Sequence, residues 1–164
     1  MLLWQQFGHL DILINNAGVG GPSAPIDQLS LEAWSEVVDI NLTGLFLVTH
    51  AALPLMRPGS VIVNNLSIAI KGAFPGMAAY NASKMGALGF TETLRKEVRE
   101  RGIRVIALVV GATDTEIWQQ FWPDAPRDRM MSPKSVARMV LAALKLPEDA
   151  TVSELEITPS LGEL

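Results

Sequence analysis

Ile103-Arg104-Val105-Ile106-Ala107-Leu108-Val109-Val110 carries an almost unbroken series of apolar, largely β-branched side chains. A strand with one wet face alternates apolar and polar residues, whereas a strand covered on both faces does not. Residues 11–15 (Asp-Ile-Leu-Ile-Asn) and 60–64 (Ser-Val-Ile-Val-Asn) read the same way, and residues 152–158 form a weaker fourth run. Helical patterns lie between them at residues 31–56, 77–101 and 133–146. The last opens with Ser132 as N-cap and Pro133 in the first turn, where proline's missing N–H costs nothing. Strands alternating with helices imply an α/β fold, a parallel sheet with helices on both faces. No repeat, low-complexity tract or linker divides the sequence, so residues 1–164 read as a single domain.

Composition narrows the function classes. Thirteen Lys and Arg against 17 Asp and Glu give a net charge of −4, which argues against nucleic acid as a general partner. The chain has no cysteine, so disulfides, thiol catalysis and thiolate metal sites are excluded. His9 and His50 have no partner pattern and no carboxylates show ligand spacing, so no metal is expected. Almost half the residues are apolar, yet the longest apolar run, residues 44–56, is broken by His50 and Pro54, short of the roughly 18 residues a membrane span needs. The first residues lack a charged leader and a small-residue cleavage site, so a cytoplasmic protein without a membrane partner is expected.

In a parallel sheet ligands gather at the carboxyl ends of the strands. Asn15-Asn16-Ala17-Gly18 follows the first run, Leu66-Ser67 the second, and Gly111-Ala112-Thr113-Asp114-Thr115 the third. Turn preference alone explains any one of these, but three small or polar strand ends together suit a cleft. Tyr80 and Lys84 are four residues apart and share a helix face, which sets a proton donor beside a cation that tunes it. That pairing suits chemistry on a carbonyl or an alcohol. Asn41 is a polar exception inside an apolar helix, either a working residue or a satisfied buried amide. Gly18-Val19-Gly20-Gly21 is followed by Pro22 and Pro25 instead of a helix start, so it is not read as a phosphate cradle.

In this order the motifs resemble the short-chain dehydrogenase/reductase family. Asn15-Asn16-Ala17-Gly18 matches its Asn-Asn-Ala-Gly motif, Asn41-Leu42-Thr43-Gly44 its asparagine-bearing helix, and Tyr80 to Lys84 its Tyr-x-x-x-Lys, with Ser67 at the family's distance before the tyrosine. The resemblance implies a Rossmann-like three-layer αβα sandwich, an NAD or NADP cofactor, and hydride transfer between a small-molecule alcohol and a ketone or aldehyde. It implies that Tyr80 exchanges the proton, Lys84 favours the phenolate and holds the nicotinamide ribose, Ser67 binds the substrate oxygen, and Asn41 binds a water that relays protons to Lys84. It implies cofactor contacts from Asn15, Ala17, Gly18, Tyr80, Lys84, Gly111, Thr113 and Thr115, with Val110 standing where the family has proline. Ile117, Trp118, Phe121, Trp122, Met130 and Met131 fall in the family's lid, where they suit a hydrophobic substrate or else pack the domain or an interface. Residues 31–56 and 77–101 correspond to the surface through which family members form homodimers or homotetramers.

The family's glycine-rich first strand and turn do not occur in this sequence, and the acidic or basic residue that selects NAD or NADP goes with them. At about 30 residues per βαβ unit, roughly 80 residues of the family pattern are lacking. Residues 1–7 read as the tail of a helix. The expectation is therefore a fragment or a wrongly started reading frame, lacking the first strands of the family fold. Such a chain would be weakened in cofactor binding, or would be a non-catalytic product that pairs with a full-length relative. Residues 11–15 would then form an edge strand with an exposed Ile-Leu-Ile face.

Overall fold

The computed structural model describes residues 7–147, 149–162 and 164. The expected helix tail at residues 1–7 falls, apart from Phe7, outside them. Four strands form one sheet in the order β1 (Leu10–Asn15), β2 (Met56–Asn65), β3 (Arg104–Val110) and β4 (Glu154–Ile157), and every neighbouring pair is parallel. Among the described residues four α-helices, α1 (Leu31–Val38), α2 (Gly44–Ala52), α3 (Ala78–Glu97) and α4 (Pro133–Leu144), supply the outer layers. Ile62 and Val105 pack with Leu94 and Val98 on the α3 face, while Val61, Val63, Ile106 and Leu108 pack with Ala143, Val136 and Val140 on the α4 face. Successive strand residues thus serve opposite cores, which is why the runs in β2 and β3 are unbroken. The three-layer α/β sandwich expected from sequence is the fold observed.

β1 departs from that pattern. Leu13 packs inward beside Leu10, but Ile12 and Ile14 are 45% and 49% exposed, so this strand is buried on one face only. Among the described residues no strand pairs with its outer edge. An apolar strand with free backbone donors and acceptors templates association. Ile12→Lys is therefore expected to lower concentration-dependent light scattering several-fold while the melting temperature changes little, since the removed side chain is already half in water.

Two boundaries also moved. β2 begins at Met56, before the expected residue 60, with Gly59 at φ +90° and a shift in register between Leu10 and Ile12 that absorbs the Pro58-Gly59 interruption. The helix expected over residues 31–56 is broken into α1, a π turn (Asp39–Thr43), α2 and a 3-10 turn (Leu53–Leu55). By length and composition Leu31–Leu55 is apolar enough to cross a membrane, contrary to the expectation that no stretch is. Its stripe Val37, Asn41, Leu45, Thr49 and Ala52 is nevertheless buried in this domain.

Candidate active site

A cleft of about 980 Å³ opens at the carboxyl ends of β1, β2 and β3. Ser67, Tyr80 and Lys84 share its wall. Ser67, two residues beyond β2, is the N-cap of the 3-10 turn Ile68–Ile70, its Oγ accepting the Ala69 N–H at 3.2 Å. The same hydroxyl lies on the Tyr80 side of the cleft wall and acts on its phenol. Lys84, one turn along α3, places its Nζ 5.7 Å from the centroid of the Tyr80 ring and donates to the Asn65 carbonyl at 2.9 Å. Burial pulls the Lys84 ammonium down to about 8. Burial pushes the Tyr80 phenol up, and the Ser67 side chain opposes it. The lowered phenol expected from Lys84 is thus not what the protein alone produces: desolvation wins, and Tyr80 stays protonated at neutral pH.

Asn41 sits in the π turn and is buried. Its Oδ1 accepts the Val19 N–H at 2.8 Å, and its Nδ2 donates to Val19 O at 2.9 Å and to Ser83 Oγ at 3.0 Å. Ser83 in turn donates to Tyr80 O at 2.8 Å. Three hydrogen bonds to protein atoms make the amide a clasp. It ties the Val19 loop to the helix that carries Tyr80. Gly86 permits the close approach, because a Cβ there would lie 2.8 Å from Leu42 Cδ2.

The expected cofactor residues divide. Gly18, Gly111, Thr113 and Thr115 line the cleft beside Tyr80 and Lys84. A Cβ on Gly18 would lie 3.3 Å from Asn41 Oδ1 and 3.7 Å from Lys84 Nζ, so a side chain there would narrow the cleft. Asn15 is directed elsewhere: its Nδ2 donates to Thr49 Oγ1 at 3.0 Å and Asn64 Oδ1 at 2.8 Å, in a polar chain that continues from Asn64 to Thr91 at 2.9 Å. Asn15 thus fastens β1 to β2 and α2, and Ala17 is exposed outside the cleft wall. Asn16 and Asn65, passed over in the sequence, line the cleft instead, joined by an Asn65 Nδ2 to Asn16 Oδ1 bond of 2.7 Å. Asn65 Oδ1 is a buried acceptor with no partner in the protein.

The segment between β3 and α4 folds back over the cleft. Its neck is closed by Met131 N to Ala112 O at 3.0 Å and Asp114 N to Met131 O at 2.9 Å. Inside it, Trp118 Nε1 donates to Thr113 O at 2.8 Å, and Arg127 bonds Asp114 Oδ1 at 2.8 Å and Thr115 O at 2.7 Å. Gln120, which carries no sequence signal, latches this lid to the Gly-rich loop: its Oε1 accepts the N–H groups of Gly20 at 2.7 Å and Gly21 at 3.2 Å. The Phe121 ring fills the space that a Gly20 side chain would take, since a Cβ there would be 2.4 Å from it. Gln120→Ala is expected to speed amide exchange at Gly20 and Gly21 and tryptic cleavage after Arg127 several-fold. Gln120→Glu, which keeps the acceptor, should leave both near the parent rates.

A family model described as short chain dehydrogenase matches residues 3–126. The chain is 40% identical over 114 residues to the 3-oxoacyl-[acyl-carrier-protein] reductase of Synechocystis sp., covering 68% of this chain and 46% of that protein. It is 36% identical over 136 residues to the 2-dehydro-3-deoxy-L-rhamnonate dehydrogenase (NAD(+)) of Sphingomonas sp., covering 82% of this chain and 54% of that protein. The chain therefore spans about half the length of these relatives. Among solved structures, the alcohol dehydrogenase of Thermococcus sibiricus complexed with 5-hydroxy-NADP superposes with a TM-score of 0.88 at 26% identity, covering 99% of this chain and 68% of that one. With a match over most of its length and Ser67, Tyr80 and Lys84 gathered on one wall of the cleft, the chain belongs to the short-chain dehydrogenase family.

Proposed function

We propose that the protein is an NAD- or NADP-dependent oxidoreductase that interconverts an alcohol and a ketone or aldehyde, with Tyr80 as its acid–base group. The observation that carries this reading is Tyr80 in the wall of one cleft together with Ser67 and flanked by the Lys84 ammonium. The lining fits a nicotinamide cofactor: Gly18 leaves room, Thr113 and Thr115 offer hydroxyls, and Asn65 Oδ1 is a buried acceptor without a partner. Such a cofactor supplies or accepts the hydride when bound. Tyr80, protonated at neutral pH, donates its proton to the carbonyl oxygen during reduction. Ser67 orients that oxygen and strengthens its hydrogen bond as negative charge develops. Lys84 brings a positive charge to the side of the ring, which steadies the phenolate left behind. Asn41 positions both by fixing the Val19 loop and, through Ser83, the Tyr80 backbone.

A second copy of the chain belongs to the same proposal. Phe46, Leu47 and Val48 on α2 and Met85 on α3 are about half exposed, an apolar face that a homodimer or homotetramer would cover in the cytoplasm. The test of the enzymatic reading is loss of reduced-nicotinamide absorbance when the purified protein, NADH or NADPH, and a panel of ketones and aldehydes are mixed. Consumption that depends on both carbonyl and protein supports it. A protein that binds neither cofactor and consumes neither would overturn it.

A further inference from the structure

The substrate end of the cleft has an unusual electrostatic character. Phe74, Pro75, Met77, Trp118, Phe121 and Trp122 wall it, and among the described residues Lys84 is the only charged side chain that lines the cleft at all. Lys84 is committed to the Asn65 carbonyl beneath Tyr80. The nearby cation of the lid, Arg127, is turned to Asp114 and Thr115, and Lys71 is paired with Glu154 and Glu156. A carboxylate, sulfonate or phosphate brought against this wall would lose water and meet no counter-charge. The same argument disfavours an ammonium group, because among the described residues no acidic side chain lines the cleft.

The apolar wall also has a shape. Trp118 stands against Phe121 with ring centroids 5.1 Å apart and an interplanar angle of 44°, and against Trp122 at 6.0 Å and 64°. The Trp118 N–H is already spent on Thr113 O, so the indole offers the cleft an apolar surface without an unmet donor. Gln120, through Gly20 and Gly21, and the Phe121 contact with Gly20 hold this aromatic group over the cleft that Tyr80 lines. Inclined aromatic walls of this kind favour a flat ring, which gains stacked or edge contacts that an open alkyl chain does not.

We propose that the substrate is an uncharged, ring-bearing ketone or the corresponding secondary alcohol, bound with its ring among Trp118, Phe121 and Trp122 and its oxygen toward Tyr80 and Ser67. This rests on the oxidoreductase reading, but binding tests it without turnover or cofactor. Acetonaphthone, its carboxylated counterpart acetylnaphthoate, and an open-chain methyl ketone of equal carbon number are titrated against the full chain, with the indole N–H resonances followed by NMR. The expected result is a Kd for acetonaphthone at least tenfold below that of either comparison compound, with the Trp118 and Trp122 signals moving. Trp118→Ala should erase the advantage over the open-chain ketone, and Trp118→Phe should restore most of it. Equal or tighter binding of the carboxylate, no binding of the naphthyl ketone, or an advantage that survives Trp118→Ala would each overturn the proposal. If the contrast holds while no nicotinamide is ever consumed, the hydride reading fails and the ring site stands; consumption without the contrast separates them in the opposite sense.

Discussion

Tyr80→Phe is expected to lower turnover by about a thousandfold or more, the size of a lost general acid, while nicotinamide affinity stays within about twofold of the parent. Tyr80 lines the cleft with Ser67, and among the described residues no acidic side chain lines the cleft beside it. Phenylalanine keeps the ring and its packing, and Ser67 still accepts the Ala69 N–H. Stability should therefore change by less than about 1 kcal/mol, within the net worth of one hydrogen bond. The direction of the reaction fixes the pH profile. Reduction needs the protonated phenol, and burial holds the Tyr80 proton on to higher pH than usual, so ketone reduction should stay level through neutrality and fall only in alkaline solution. Alcohol oxidation needs the phenolate and should rise with pH over the same range. Steady-state rates in both directions, with denaturation curves for both proteins, check these expectations; undiminished turnover in the variant would remove Tyr80 from the acid–base role.

Much of this site is legible in the sequence because its members depend on short-range regularities. The uninterrupted apolar run in β3 reports two covered faces, and the four-residue spacing of Tyr80 and Lys84 reports a common helix face. Ser132 is legible as a cap that acts on an N–H three residues away, and Ser67 as a small polar residue following an apolar strand. What stayed hidden depends on distance or on single-residue phase. Asn15 and Asn16 are neighbours of one type, and only the pleat decides that Asn15 enters the polar chain with Asn64 while Asn16 faces the cleft. Asn41 meets Val19 across 22 residues, and Gln120 meets Gly20 across 100. Neither contact leaves a periodic trace. The π turn at Asn41 has none either, since the flanking apolar pattern continues on both sides of it. The edge strand with an exposed apolar face is expected at residues 11–15, but the pleat exposes only Ile12 and Ile14 and turns Leu13 into the core.

Lys84→Met should pull activity and stability in opposite directions. Removing the ammonium takes the positive charge from beside the Tyr80 ring, so turnover is expected to fall by about a hundredfold or more. The same charge weakens the fold, because burial lowers the Lys84 pKa from 10.5 to about 8. Between those values the unfolded chain binds the proton and the folded chain does not, so this group makes stability rise as pH climbs from about 8 toward 10.5 and withholds it below about 8. The difference corresponds to about 3 kcal/mol at neutral pH, offset in the variant by roughly 1 kcal/mol for the Asn65 carbonyl left without its donor. Lys84→Met is therefore expected to be about 2 kcal/mol more stable than the parent at neutral pH, with the gain shrinking in alkaline solution. Lys84→Arg keeps a charge that cannot be shed, and should be less stable than the parent by an amount that grows over the same alkaline range. Urea denaturation of the three proteins at neutral pH and near pH 9 decides the matter: a methionine variant that is no more stable than the parent at neutral pH would mean that the ammonium is better solvated in that wall than its burial indicates.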